Sequence, residues 1–329
     1  MVKRGRTVLF VAVVVVAIGV ALYLVLRPDG RDAPIQVMLD FFPNPNHVPL
    51  YVAEETGLYA GQGVDVEILV PANPSDPVRL AAARTVDVAL TPQTNYLMAQ
   101  AEGLPLVAIG ALIDSTLGGL LALSREGRVV TLTDLDGARI GYALEPLEPV
   151  LWKTMLACAG VEPDAVTLIN VGYNTVVSLA TNQVDAIGAF RNYEKIQVEL
   201  MGLDAVFFPQ EEYGVPTTYD IVLVAHPDTV AERPVELRRF LQGLSQAVTA
   251  TIDDPDRAYE QFVQANPDFD DELSRASFAA TIDLFARGVR HDDPAVWEAM
   301  QLYLGEQGLA DATVPVSQLY TAELLPGDD

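Results

Sequence analysis

The chain has 329 residues, half of them hydrophobic and a fifth charged, which is enough for two separate cores and excludes a disordered tail as the main body. Its formal net charge is −25, and four of its 20 bases (Lys3, Arg4, Arg6, Arg27) lie before Pro28, so the remainder is more acidic still. Such a surface repels nucleic acid and anionic headgroups, and a single cysteine, Cys158, excludes a disulfide framework or a zinc cluster.

Met1–Arg6 is basic, and Thr7–Leu26 then runs 20 residues without a charge. Twenty apolar residues match a bilayer core of about 30 Å. The basic flank belongs on the cytoplasmic side. The run is longer than a cleavable signal needs, and no small-x-small exit suits cleavage. Residues 1–30 are therefore expected to form one uncleaved transmembrane helix, a single-pass anchor in the cell membrane with the bulk of the chain outside. No cysteine near the end of the run offers a lipoprotein anchor.

Beyond the anchor, strands and helices alternate. Ile35–Leu39 reads as a strand, Pro49–Thr56 as a helix stopped by Gly57, and Val64–Val70 as an alternating strand. Pro77–Arg84 is helical, and Val86–Leu90, Leu106–Leu112 and Leu117–Leu123 are apolar strands. A second unit opens near Thr133. It holds strands at Ala138–Tyr142, Val166–Val171, Val184–Phe190 and Ala205–Phe208, with helices at Pro149–Gly160 and Thr175–Thr181. Cys158, in the apolar stretch Met155-Leu-Ala-Cys-Ala, is expected to be a buried, inert thiol. Asp220–Ala225 is a strand returning to the first unit. Helices follow at Val235–Asp253, Pro255–Ala265, Asp271–Arg287 and Pro294–Glu306.

This order implies an α/β protein of two lobes joined by two crossing strands. Lobe 1 is expected over 34–124 plus 221–329, and lobe 2 over 125–220. Ligands of such sheets sit beyond the strands' carboxyl ends. The candidates there are the segments 40–44, 91–95, 143–145, 190–194 and 213–220, and within or beside them Asp40, Phe41, Phe42, Asn44 and His47, then Gln93, Glu145, Phe190, Asn192, Glu194 and Tyr219. Aromatics beside amides and carboxylates suit a flat, neutral or weakly basic heterocycle, stacked on a ring and hydrogen bonded to a carboxylate. Each residue also has a structural reading: core for the phenylalanines, a turn for Asn44, local packing for His47, a helix start for Asn192 and Glu194, a hinge loop around Tyr219. No nucleophile elbow, P-loop or dinucleotide fingerprint occurs, and the three histidines are scattered, so the sequence gives no catalytic set, no cofactor motif and no metal site.

The block Asp40-Phe-Phe-Pro-Asn-Pro-Asn-His-Val-Pro-Leu-Tyr-Val-Ala53, with Glu54-Glu-Thr-Gly-Leu-Tyr59 and Gly63-Val-Asp-Val-Glu-Ile68, resembles the pyrimidine-precursor-binding branch of the thiamin-synthesis family. That family includes bacterial formylaminopyrimidine-binding proteins of ABC importers and the fungal hydroxymethylpyrimidine phosphate synthase. Phe190-Arg-Asn-Tyr-Glu194 and Tyr213-Gly-Val-Pro216 extend the likeness, which covers roughly Ile35 to Phe285. The resemblance implies the type II periplasmic-binding-protein fold. It places Asp40 and Phe41 on one side of the cleft, and Asn192 and Glu194 on the other. It also implies an importer permease and ATPase as partners. The synthase's lysine and histidine have no counterpart in Thr91-Pro-Gln-Thr-Asn95, and its cysteine motif is missing. Its glycine-bearing phosphate loop is replaced by Ala143-Leu-Glu-Pro-Leu147, where Glu145 is expected to repel phosphate. The expectation is a non-enzymatic binding protein for an unphosphorylated aminopyrimidine. The alternatives are an alkanesulfonate- or nitrate-type binder, with Arg191 as the one base at a strand end, and a pyrimidine synthase.

Overall fold

The computed structural model describes residues 33–73, 76–124, 131–310 and 314–327; the apolar run Thr7–Leu26 lies outside them. Among the described residues no helix is long and apolar enough to cross a membrane.

The strands in chain order are β1 (Ile35–Met38), β2 (Val66–Leu69), β3 (Val88–Thr91), β4 (Val107–Ile113) and β5 (Gly118–Leu123). Then come β6 (Arg139–Tyr142), β7 (Thr167–Asn170), β8 (Ala186–Phe190), β9 (Ala205–Pro209) and β10 (Ile221–Ala225). They form two five-stranded sheets, ordered β2-β1-β3-β10-β4 and β7-β6-β8-β5-β9. In the first, β1 is parallel to β2 and β3, and β10 runs antiparallel to β3 and β4. The second repeats the scheme, with β6 parallel to β7 and β8, and β5 antiparallel to β8 and β9. The central strands β3, β5 and β10 are buried along their whole length, as continuous apolar runs covered on both faces should be.

The chain passes between the sheets twice, through residues 114–117 and 210–220. The strand at Leu117–Leu123, assigned by sequence to the first lobe, is therefore in the second sheet. Its glycines allow the seat between β8 and β9. A Cβ on Gly119 would stand 2.3 Å from the Phe208 carbonyl oxygen and 2.7 Å from the Phe207 ring.

Among the helices that cover the sheets and their cleft are α1 (Val48–Glu55), α2 (Gln93–Ala101), α3 (Leu147–Cys158), α4 (Glu194–Leu200), α5 (Pro234–Asp253), α6 (Glu272–Thr281) and α7 (Pro294–Glu306). In α5, Leu237, Phe240, Leu241, Leu244 and Val248 fall at three- and four-residue spacing, and all are buried against the first sheet's core. Each such side chain contributes about 1.5–3 kcal/mol by leaving water. The predicted helix Asp271–Arg287 stops at Thr281, because Phe285 leaves it to bridge Ile113 of β4. In α3, Leu147, Leu151, Trp152, Met155 and Leu156 are buried. Cys158 is instead exposed, which corrects the expectation of a buried thiol: it is the final residue of α3, past the turn that Met155 and Leu156 bury.

One buried apolar cluster runs through both sheets. It joins Met38, Ala89 and Tyr96 to Leu120, Trp152 and Trp297. A polar tie adds to it, where Thr154 Oγ1 of α3 meets Tyr303 Oη of α7 at 2.8 Å.

Candidate functional site

The first-sheet wall begins where β1 ends. Asn44 caps a single 3-10 turn, Pro45–His47: its Oδ1 accepts from Asn46 N at 2.9 Å and its Nδ2 donates to the Phe42 carbonyl at 3.0 Å. Both ends of the Asn44 amide are thus used inside the turn. The Asn44 backbone N–H donates to His47 Nδ1 at 3.3 Å. That fixes the ring proton on Nε2, which donates to Asp40 Oδ1 at 2.7 Å. His47 is fully buried while the Asp40 carboxylate is partly exposed, so the histidine holds Asp40 from behind. Phe41 is 37% exposed and Phe42 59%, and they meet edge to face at 5.3 Å. Neither is core. The Phe41 ring reaches Tyr173 of the second lobe at 5.9 Å.

The second-sheet wall is built at the end of β8. The Phe190 N–H donates to Glu194 Oε2 at 2.8 Å, pinning the carboxylate of the first α4 residue beside a ring that is 39% exposed. On the neighbouring helix α3, Glu148 Oε2 accepts from Ala143 N at 2.7 Å and Leu144 N at 3.3 Å. Burial pushes both glutamates above the usual carboxylate range, and the Glu194 charge adds to the push on Glu148. Glu145 is exposed and does not line the cavity, so the acid at this corner is Glu148 rather than Glu145. Asn192 is 2% exposed and spans the lobes: its Nδ2 donates to Asn46 Oδ1 at 2.8 Å and to Thr281 Oγ1 of α6 at 2.9 Å.

The floor is made by the two crossings. Thr218 N donates to Thr116 Oγ1 at 3.0 Å, and Leu117 N donates to the Asp220 carboxylate. Gln93 is buried and braces the same segment, its Oε1 accepting from Thr218 Oγ1 at 2.7 Å and Tyr219 N at 3.0 Å. Burial pushes the Asp220 carboxyl up to about 7; the Leu117 amide and Arg191 draw it down, and Asp40 adds to the rise. Tyr219 points away from the cleft. Its ring packs 5.6 Å from Trp297 and its hydroxyl accepts from Asp293 N at 3.1 Å, which removes it from the candidate set. Arg191 is tied to Glu211 and lies over the Phe207 ring, so its charge is already matched.

Between the walls is a cavity lined among others by Asn95, Leu144, Glu148, Trp152, Phe190 and Asp220. Of the residues named singly from the sequence Phe190 lines it directly, and the strand-end segments 91–95, 143–145 and 213–220 contribute Pro92, Thr94, Asn95, Leu144, Thr218 and Asp220. Asp40 and Glu194 stand beside it, close enough to act on the charges of Asp220 and Glu148. Glu148 and Trp152 lie outside the segments that the sequence singles out. The usable signals were an acid in the first turn of α3 and a tryptophan four residues on and so on the same helix face. Among the described residues no group of three or more metal-ligating side chains gathers.

The NMT1/THI5-like family model matches residues 44–258. The chain belongs to this family. A Haemophilus influenzae protein named for thiamine biosynthesis is 34% identical over 299 residues, 90% of this chain and 94% of that one. The formylaminopyrimidine-binding protein of Halalkalibacterium halodurans is 32% identical over 231 residues, 70% of each chain. The family also holds enzymes by name: a 4-amino-5-hydroxymethyl-2-methylpyrimidine phosphate synthase of Legionella pneumophila is 27% identical over 295 residues, 89% of this chain and 92% of that one. Among solved structures, the periplasmic aliphatic sulphonate binding protein of Escherichia coli superposes with a TM-score of 0.71 over 88% of this chain and 97% of that one, at 13% identity. This family member therefore has the two-sheet periplasmic-binding-protein fold.

Proposed function

We propose that the chain is the extracytoplasmic substrate-binding component of an ABC importer, and that it holds an unphosphorylated aminopyrimidine of the thiamin-precursor type between its two sheets. The observation that carries this is the charge of the cleft. Glu148 and Asp220 line it and the charges of Glu194 and Asp40 act on them, while the nearby base, Arg191, is paired with Glu211. Such a cleft accepts hydrogen bonds from an exocyclic amine or protonated ring nitrogen, and the exposed rings of Phe41 and Phe190 offer stacking faces. A sulfonate or nitrate would meet like charge there. The formylaminopyrimidine-binding relative supports the ligand class. The segment after β3, Thr91-Pro-Gln-Thr-Asn95, carries neither lysine nor histidine, which favours binding over synthase chemistry.

Binding is tested by Glu194→Gln, which keeps the shape and removes the charge. Loss of a charged hydrogen bond costs about 1.5–3 kcal/mol, so titration calorimetry with formylaminopyrimidine should read a ~10- to 150-fold weaker affinity. Small-angle scattering should show compaction on ligand addition in the wild type and less in the variant at the same concentration. Wild-type affinity in Glu194→Gln would remove this residue from the site.

The apolar run Thr7–Leu26 supports a single-pass anchor that keeps the lobes at the outer face of the cell membrane, next to the permease. The full chain should then resist carbonate extraction from membranes. Its release into the supernatant would overturn the anchoring.

A further inference from the structure

Resting on the cleft reading above, we infer that Glu148 is an anion built into the chain that fills a backbone anion nest opening on the cavity, and so makes the site discriminate against phosphate esters. Two consecutive backbone N–H groups, Ala143 and Leu144, converge on the single oxygen Glu148 Oε2, at 2.7 and 3.3 Å. Consecutive amides converging in this way form a concavity suited to one oxygen of an anion. Here the anion comes from the first turn of α3, five and four residues further along the chain.

The placement is tied to ligand access rather than to helix capping alone. Leu144 and Glu148 both line the cavity, and Leu144 is exposed in it. The next residue on that face of α3, Trp152, also lines the cavity and is 2% exposed, yet its indole Nε1–H has no hydrogen-bond partner. That donor is left for an acceptor arriving from the cavity or for water. The carboxylate is held in place by close packing under β8, where a Cβ on Gly188 would fall 2.5 Å from the Trp152 ring and 3.3 Å from Glu148 Oε2. Glu194 stands near enough to act on Glu148, so this corner carries two acids. A phosphate entering it would lose its amide donors to Glu148 and face both charges.

The experiment compares wild type, Glu148→Ala and Glu148→Gln. Calorimetry uses 4-amino-5-hydroxymethyl-2-methylpyrimidine with and without its phosphate, and thermal unfolding is followed with inorganic phosphate alone. Emptying the nest in Glu148→Ala should raise the affinity ratio of phosphorylated to unphosphorylated pyrimidine by ~10-fold or more, the scale of charge-assisted bonds recovered. It should also make inorganic phosphate stabilise the protein. Glu148→Gln keeps an oxygen on the two amides and removes only the charge, so its ratio should rise less, by about threefold. A folded Glu148→Ala protein with a ratio within about twofold of wild type, and no stabilisation by phosphate, overturns the inference. Should Glu148→Ala not fold, an unchanged ratio in Glu148→Gln overturns it equally. If no pyrimidine binds even to the wild type, the ligand reading fails, while the phosphate-dependent unfolding of the variants still decides the role of the nest.

Discussion

Asp220 combines two duties in one side chain, since it lines the cavity and caps the amide of Leu117 in the opposite crossing. Its folded carboxyl titrates at about 7, chiefly because it is buried, whereas an unfolded aspartate titrates near ~4. Between those values the folded protein binds a proton that the unfolded chain does not. Stability from this group is therefore complete below about pH 4, is lost as pH rises through about 7, and changes no further above. Asp220→Asn retains an acceptor oxygen and has nothing to titrate. Its melting temperature should accordingly rise relative to wild type between about pH 4 and 7. The buried His291, pushed down to about 4, acts in the opposite sense in the same region, but it is present in both proteins and cancels in the difference. A flat difference across that window would place Asp220 ionised in the folded state throughout.

At the scale of elements, β5 shows how a single strand decides which sheet a crossing joins. Gly119 is the constraint, because the Phe208 carbonyl and the Phe207 ring occupy the space a side chain would need. Gly119→Ala should destabilise by about 1–3 kcal/mol, as overpacking does, and lower the melting temperature by a few degrees. Gly61→Ala is the control, with nothing near its added methyl and an ordinary helical backbone angle, and it should melt at or slightly above wild type. The central strands were legible in the sequence because an unbroken apolar run has few places to go. The sheet to which Leu117–Leu123 belongs was not, since strand partners are set by contacts remote in sequence and the glycines' neighbours are invisible there. The same holds for the site. Asp40 with His47, and Phe190 with Glu194, are local constellations and could be read from spacing. Glu148 had to be found from the folded loop, because Glu145 stands closer to the strand end and only the path of the chain turns it outward. Tyr219 looked available from its loop, but Trp297 and Asp293, far along the chain, draw it into the core.

At the scale of the whole molecule, the two sheets are held together from several sides. Asn192 bridges to Asn46 and Thr281, Thr154 meets Tyr303, and one apolar cluster runs through both. A ligand that touches both sheets and favours this arrangement over one with the sheets further apart shifts the population toward it. The crossings set a further condition. Asp220 is at once part of the cavity's lining and part of the lacing between the two passages of the chain, and near neutral pH it is divided between acid and anion. A cationic guest above it favours the anion. Below about pH 7 each such guest displaces part of a proton into the medium, so capture and acidity compete for the same oxygen atoms. Any cation bound over Asp220 is thereby held with an affinity that depends on the acidity of the medium.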